Sequence, residues 1–128
     1  MPAGYAKKSD GHFYKVYNQQ KTWSEARVIC LSDGSSLPVP WDQATNEIIQ
    51  DLIPGDRTFL GMSDIDKEGS WVTVHGSPLG FTNWDEHEPN DADNNEDCGF
   101  MFKESGKWND RSCSSLVTFI CQFKQGAN

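Results

Sequence analysis

Twelve carboxylates lie between Asp64 and Asp110: Asp64, Asp66, Glu68, Asp85, Glu86, Glu88, Asp91, Asp93, Glu96, Asp97, Glu104 and Asp110. Against them the stretch holds only three side-chain cations, Lys67, Lys103 and Lys107. Like charges at that density repel, so the segment needs either water or a cation. Hard oxygen donors on irregular backbone, about six to eight per ion, are the ligands calcium prefers. A solvated acidic loop face is the plain alternative. An EF-hand is excluded, because no Asp-x-Asp-x-Asp-Gly loop ending in Glu occurs. A second chemistry open to paired acids such as Glu88 and Glu96 is glycoside hydrolysis. Calcium ligation of the same carboxylates would leave them unable to act as a general acid. The three histidines, His12, His75 and His87, stand near no serine or cysteine in a nucleophile setting, so nothing points to an enzyme.

The elements that must position these residues are legible around the acidic stretch. Residues 12–17 are rich in strand formers. Thr22-Trp23-Ser24-Glu25 reads as a capping box, and Trp23, Ala26, Ile29 and Cys30 follow at helical spacing. Pro38 and Pro40 force extended backbone up to Asp42, which caps a second helix with Ala44, Ile48, Ile49 and Leu52 on its apolar side. Pro54-Gly55 stops that helix. Thr58 to Met62 reads as a short buried strand, and further strands fall around 99–103, 107–109 and 116–123. Between Ile65 and Asp97 the chain is rich in Gly, Asn and Asp and is broken by Trp71, Phe81 and Trp84. A loop region of that length inside one domain is generally functional. Packing is the default role for Trp71, Trp84 and Trp108. Trp41 has no apolar residue one turn later; it is tucked inward or forms an exposed contact patch. Lys7 and Lys8 read as a solvated tail.

The chain has 128 residues, one domain's worth, here taken as residues 1–128 with a core of about 12–123. Its 11 Lys and Arg against 19 Asp and Glu give a net charge of −8. That excludes the basic face of a nucleic-acid binder and electrostatic anchoring to anionic lipid. No apolar run is long enough to span a bilayer, and Met1-Pro2-Ala3-Gly4 carries no apolar signal region. Cys30, Cys98, Cys113 and Cys121 form no Cys-x-x-Cys pair, which argues against a zinc ribbon and for two disulfides in a secreted, extracellular protein. Three pairings are open. Cys98–Cys113 nested inside Cys30–Cys121 is attractive, since a hairpin-sized bridge would sit within one tying the first third to the last strand.

Trp23-Ser24-Glu25-Ala26 ahead of Cys30, Phe59-Leu60-Gly61-Met62, Glu88-Pro89-Asn90, and Trp108-Asn109-Asp110 before Cys113 and Cys121 resemble C-type lectin-like domains. The resemblance runs from about residue 12 to residue 123. Its pattern is nearest the carbohydrate-recognition domains of collectins, in Glu68-Gly69, Asn83-Trp84, Glu96-Asp97-Cys98 and Gly106-Lys107-Trp108-Asn109-Asp110-Arg111. It implies an α+β C-type lectin fold: two helices, small antiparallel sheets, a long calcium-stabilised loop region, and the disulfides Cys30–Cys121 and Cys98–Cys113. It also implies two Ca2+ sites. The principal one corresponds to Glu88, Asn90, Glu96, Asn109 and Asp110, with the Glu88-Pro89 bond cis in the calcium-bound form. The auxiliary one corresponds to Asp64, Glu68, Asp91 and Asp97, with Glu96 shared. Every one of these positions carries an oxygen donor.

The function implied is calcium-dependent carbohydrate binding through Glu88, Asn90, Glu96, Asn109 and Asp110. In the family Glu-Pro-Asn goes with equatorial vicinal hydroxyls, as in mannose, fucose, N-acetylglucosamine and glucose, and Gln-Pro-Asp with galactose. The Asp91–Asn95 loop offers no aromatic platform, which favours the mannose type. The expected partners are mannose-type glycans on cell or microbial surfaces, with homo-oligomerisation supplying avidity and no nucleic acid or membrane insertion. The alternatives are a galactose-binding lectin despite Glu-Pro-Asn, or a calcium-dependent binder of a non-sugar ligand on the same fold.

Overall fold

The computed structural model describes residues 4–67, 69–86, 88–89 and 97–124. In chain order the elements are β1 (Ala6–Lys7), β2 (Phe13–Lys21), α1 (Trp23–Ser32), α2 (Gln43–Leu52), β3 (Arg57–Ser63), β4 (Val72–Thr73), β5 (Cys98–Phe102), β6 (Trp108–Arg111) and β7 (Val117–Phe123). Both helices begin where the sequence signals them. Thr22 Oγ1 accepts the Glu25 N–H at 3.3 Å while Glu25 Oε1 accepts the Thr22 N–H at 3.0 Å, which closes the capping box. Asp42 Oδ1 accepts the Thr45 N–H at 2.8 Å and caps α2.

The strands form two antiparallel sheets, ordered β1-β2-β7 and β4-β3-β5-β6. The first brings the chain's two ends together, with Phe13 opposite Phe123 and Lys15 opposite Cys121. The second carries the acidic region at one end, where Ser63 and Arg111 both stand opposite Cys98. One buried cluster joins Trp23, Ala26 and Cys30 of α1 to Phe59, Phe100 and Phe119. A second joins Ile49 of α2 and Ile53 to Leu60, Met101, Trp108 and Ile120. The Cys30–Cys121 disulfide ties α1 to β7, and Cys98–Cys113 ties the start of β5 to the segment after β6. Gly61 permits the close crossing of the Pro38 segment over β3. Its N–H reaches Pro38 O at 2.7 Å, and a Cβ there would lie 2.6 Å from Leu37 O.

Three local expectations differ from what is found. On α2, Ile49 is buried and Ile48 and Leu52 pack half-buried against the core as expected, but Ala44 is exposed and Thr45 and Asn46 are buried instead. A polar anchor turns the helix: Asn46 Oδ1 accepts the Trp108 indole N–H at 2.7 Å and its amide donates to Gly106 O at 3.1 Å. Lys7 is exposed but belongs to β1, where it stands opposite Phe13. The stretch read as loop holds β4, whose two residues pair with Met62 and Ser63.

Candidate functional site

Five of the nine candidate ligand residues lie within the described residues: Asp64, Glu88, Asp97, Asn109 and Asp110. They collect at the β3/β5/β6 end of the larger sheet. Asn109 and Asp110 lie in β6, opposite Phe100 and Gly99 of β5, so the pairing register fixes their positions. Both are buried, Asp110 completely. Trp108, just before them, is the largest fully buried residue of its cluster and packs edge-on against Trp84 at 5.5 Å and Phe81 at 5.9 Å. The Trp84 segment is bolted to β6: Trp108 N–H donates to Asn83 O at 3.0 Å, and Asp85 N–H donates to Trp108 O at 2.8 Å. A turn closed by Glu88 N–H to Asp85 O at 3.0 Å then delivers Glu88. Its carboxylate oxygen Oε1 accepts the Asp110 N–H at 3.4 Å. The Glu88-Pro89 bond is cis.

Glu88 and Asp110 therefore form a close pair of acids. Burial pushes the Glu88 carboxyl up from its ordinary 4.5 to about 7. The Asp110 carboxyl beside it, a hydrogen-bond partner and a like charge, adds to the rise, while the Asp110 N–H and Arg111 pull the other way. Arg111 braces the pair from behind. Its Nη1 donates to Asp110 O at 3.0 Å. With the Asn109 amide oriented to satisfy both its ends, Nη2 donates to Asn109 Oδ1 at 3.1 Å and Asn109 Nδ2 donates to Trp108 O at 3.0 Å.

Asp64 leaves the end of β3 and is 3% exposed. Its N–H donates to Asp97 O at 3.0 Å, which sets the two acidic residues side by side, and its Oδ2 accepts the Gly69 N–H at 2.9 Å. Oδ1 is buried and has no hydrogen-bond partner among the described residues. A buried carboxylate oxygen left so is costly in the absence of a cation, and the donor set around it is all oxygen. Glu68, Asn90, Asp91 and Glu96, as well as His87, lie outside the described residues. Among those described, no three His, Cys, Asp or Glu residues form a metal site by themselves. The remaining candidate ligands of either set thus lie outside the described residues.

Sequence reasoning named Arg111 and Asn83 only as parts of motifs and gave neither a role. A lone cation directly after two acidic-site residues was the available signal for Arg111. Asn83 pins the β5–β6 turn that leads into β6: its amide donates to Gly106 O at 2.8 Å and its oxygen accepts from Lys107 Nζ at 3.3 Å.

Among the described residues no helix is long and apolar enough to cross a membrane. A family model for the lectin C-type domain matches residues 19–123. Collectin-10 of Gallus gallus is 36% identical over 121 residues, covering 91% of this chain and 43% of that protein, so the chain spans less than half the length of that relative. Of solved structures, the cow C-type carbohydrate-recognition domain of CD23, determined in the presence of GlcNAc2Man3 oligosaccharide, superposes with a TM-score of 0.89 at 27% identity, covering 99% of this chain and 98% of that one. A calcium-independent type II antifreeze protein superposes with a TM-score of 0.87 at 22% identity, covering 97% and 94%, and shares the fold alone. By its sequence, its two helices, its small antiparallel sheets and its two disulfides, the chain belongs to the C-type lectin domain family, a family of carbohydrate-recognition domains rather than enzymes.

Proposed function

We propose that this chain is a single secreted recognition domain that binds mannose-type sugars in a calcium-dependent way. The observation that carries the reading is the Glu88–Asp110 acid pair at the sheet end, where Glu88 Oε1 accepts the Asp110 N–H at 3.4 Å and burial pushes the Glu88 carboxyl up to about 7. Such a pair is poised to exchange its proton for a metal. Glu88, Asn90, Glu96, Asn109 and Asp110 would hold the principal ion, and Asp64, Glu68, Asp91 and Asp97 the auxiliary one. The fit rests on the all-oxygen donor set and on the buried Asp64 Oδ1.

Bound calcium supplies Lewis-acidic coordination for two vicinal hydroxyl oxygens. The chain's own groups set the geometry around them. Carboxylates of Glu88 and Glu96 accept the hydroxyl hydrogens, while the amides of Asn90 and Asn109 donate to the oxygens. Charge assistance strengthens the first kind. Arg111, already bonded to the Asp110 carbonyl, positions β6 against the acids without touching sugar. Acid and amide alternate as Glu-Pro-Asn, which suits equatorial hydroxyls. Shallow contacts of this kind give about millimolar affinity, near −4 kcal/mol, so several copies acting together on mannose-type glycans of cell or microbial surfaces are needed for useful avidity.

The deciding experiment is retention on immobilised mannose in millimolar calcium, with galactose resin in parallel and EDTA as eluant. Mannose retention released by EDTA is the expected result. Galactose retention overturns the sugar class. Calcium binding without retention on either resin transfers the function to a non-sugar ligand, a reading that the fold shared with an antifreeze protein keeps open.

A further inference from the structure

Trp41, Asp42, His12, His75, Gln122 and Lys124 line a pocket of about 520 Å³ that shares no residue with the candidate calcium site. It lies where the segment ahead of β2, the start of α2, the turn after β4 and the end of β7 meet. We propose that this pocket is a second, calcium-independent subsite for an uncharged saccharide, with Trp41 as its stacking face.

The volume falls in the range of small-molecule sites, about 300–1,000 Å³. Trp41 is 41% exposed, yet its ring is held in place by stacking on His75 at 5.7 Å and 27°. Burial and the neighbouring Arg27 hold the His75 imidazole below its ordinary pKa, so it packs as a neutral ring.

The back wall is rigid. Gln122 is spent on Tyr14 Oη and on both backbone groups of Val39, each at 3.1 Å. Asp10 takes the Tyr14 hydroxyl at 2.6 Å, the His12 N–H at 3.0 Å and His12 Nδ1 at 3.1 Å. The Asp10 carboxylate occupies the Nδ1 side of the His12 ring. His12 Nε2 is the ring nitrogen left for a ligand hydroxyl, on a residue 8% exposed. Asp42 commits Oδ1 to the Thr45 N–H and keeps Oδ2 available, and Lys124 supplies a donor.

One flat apolar face beside acceptors and a donor selects the ligand class. A wholly apolar molecule would strip water from Asp42, His12 and Lys124 without replacing its hydrogen bonds. A pyranose offers C–H groups to the indole and hydroxyls to the rim. Asp10 and Asp42 outnumber Lys124 in the pocket, and the chain as a whole carries −8, so an anionic sugar is disfavoured.

The test uses the full chain in EDTA, so that calcium-dependent binding is silent. Chitobiose, maltose and a mannobiose are titrated while the Trp41 indole N–H resonance, assigned with Trp41→Phe, is followed. A saturable shift with at least one of them is expected, together with about tenfold weaker binding in Trp41→Ala. Calcium-dependent mannose retention should be unchanged in that variant. Asp42→Asn keeps the helix cap and removes the charge, so it serves as a second variant with an intact fold; it should weaken binding severalfold. No shift with any of the three sugars overturns the proposal. So does binding that survives Trp41→Ala unchanged, or tighter binding of a uronate-containing disaccharide. Loss of mannose retention in the unaltered chain would instead sink the calcium reading and leave this pocket's result intact.

Discussion

At the scale of single residues the acid pair Glu88 and Asp110 makes opposite demands on the cation-free and the calcium-loaded protein. The Glu88 carboxyl is raised, chiefly by burial, to about 7 from 4.5. A group raised in the fold stabilises it below its unfolded value and loses that contribution as pH rises through the folded one. In EDTA this residue should therefore make the protein less stable between about pH 5 and about pH 7.5. In the proposed site calcium would need the carboxylate, so its affinity should rise over the same interval. Thermal melts in EDTA and calcium titrations across that range check both signs, and Glu88→Gln should flatten the EDTA slope. Calcium affinity that stayed flat down to about pH 5 would remove Glu88 from the ligand set. The order of acid and amide is testable at the same scale. Exchanging them, with Glu88→Gln and Asn90→Asp, should move retention from mannose to galactose resin or abolish it. Undiminished mannose retention would show that these residues do not read the sugar.

At the scale of elements the site depends on how β6 is held. Trp108 anchors that strand, and its buried indole N–H has one acceptor, Asn46 Oδ1 on α2 at 2.7 Å. Asn46→Ala leaves the N–H unsatisfied beside a small void and should cost about 2–3 kcal/mol of unfolding free energy. Gly106 O would keep its second donor, the Asn83 amide at 2.8 Å, so the β5–β6 turn should persist. Urea denaturation measures the loss; a change below about 0.5 kcal/mol would mean water replaces the asparagine. This contact also marks where the sequence stops being readable. Both helix starts were legible because caps are local chemistry between residues three apart, as Thr22 with Glu25 and Asp42 with Thr45 show. The apolar side of α2 was legible at Ile48, Ile49 and Leu52 but not at Asn46, a buried polar residue satisfied from sixty-two positions away, which apolar periodicity counts as outward. β4 escaped for the related reason that two residues carry no period of their own and exist through pairing with Met62 and Ser63. The candidate ligands could be named in advance only by motif. That Asp64 and Asp97 stand side by side follows from strand pairing between β3 and β5, which no local pattern states.

At the scale of the molecule, the proposed cation would couple ligand binding to folding at one end of the larger sheet. The two disulfides and the two apolar clusters fasten the helices and both sheets to one another. The Cys98–Cys113 bridge reaches the acidic end beside Asp97, yet Asp64 Oδ1 is buried there without a hydrogen bond among the described residues. Anything that binds only the folded state stabilises it, by about 2.7 kcal/mol at a hundredfold excess over Kd. Calcium in excess should accordingly raise the melting temperature by several degrees, and magnesium, which resists full dehydration, should do much less. Asp64→Asn separates this from a general salt effect through the sign of two numbers. Without calcium the substitution removes a buried charge and should leave stability equal or higher. With calcium it removes a proposed ligand and should take away part of the gain. A calcium gain undiminished in Asp64→Asn would mean that the cation acts elsewhere, and that the buried oxygen is a cost the disulfide-tied core carries alone.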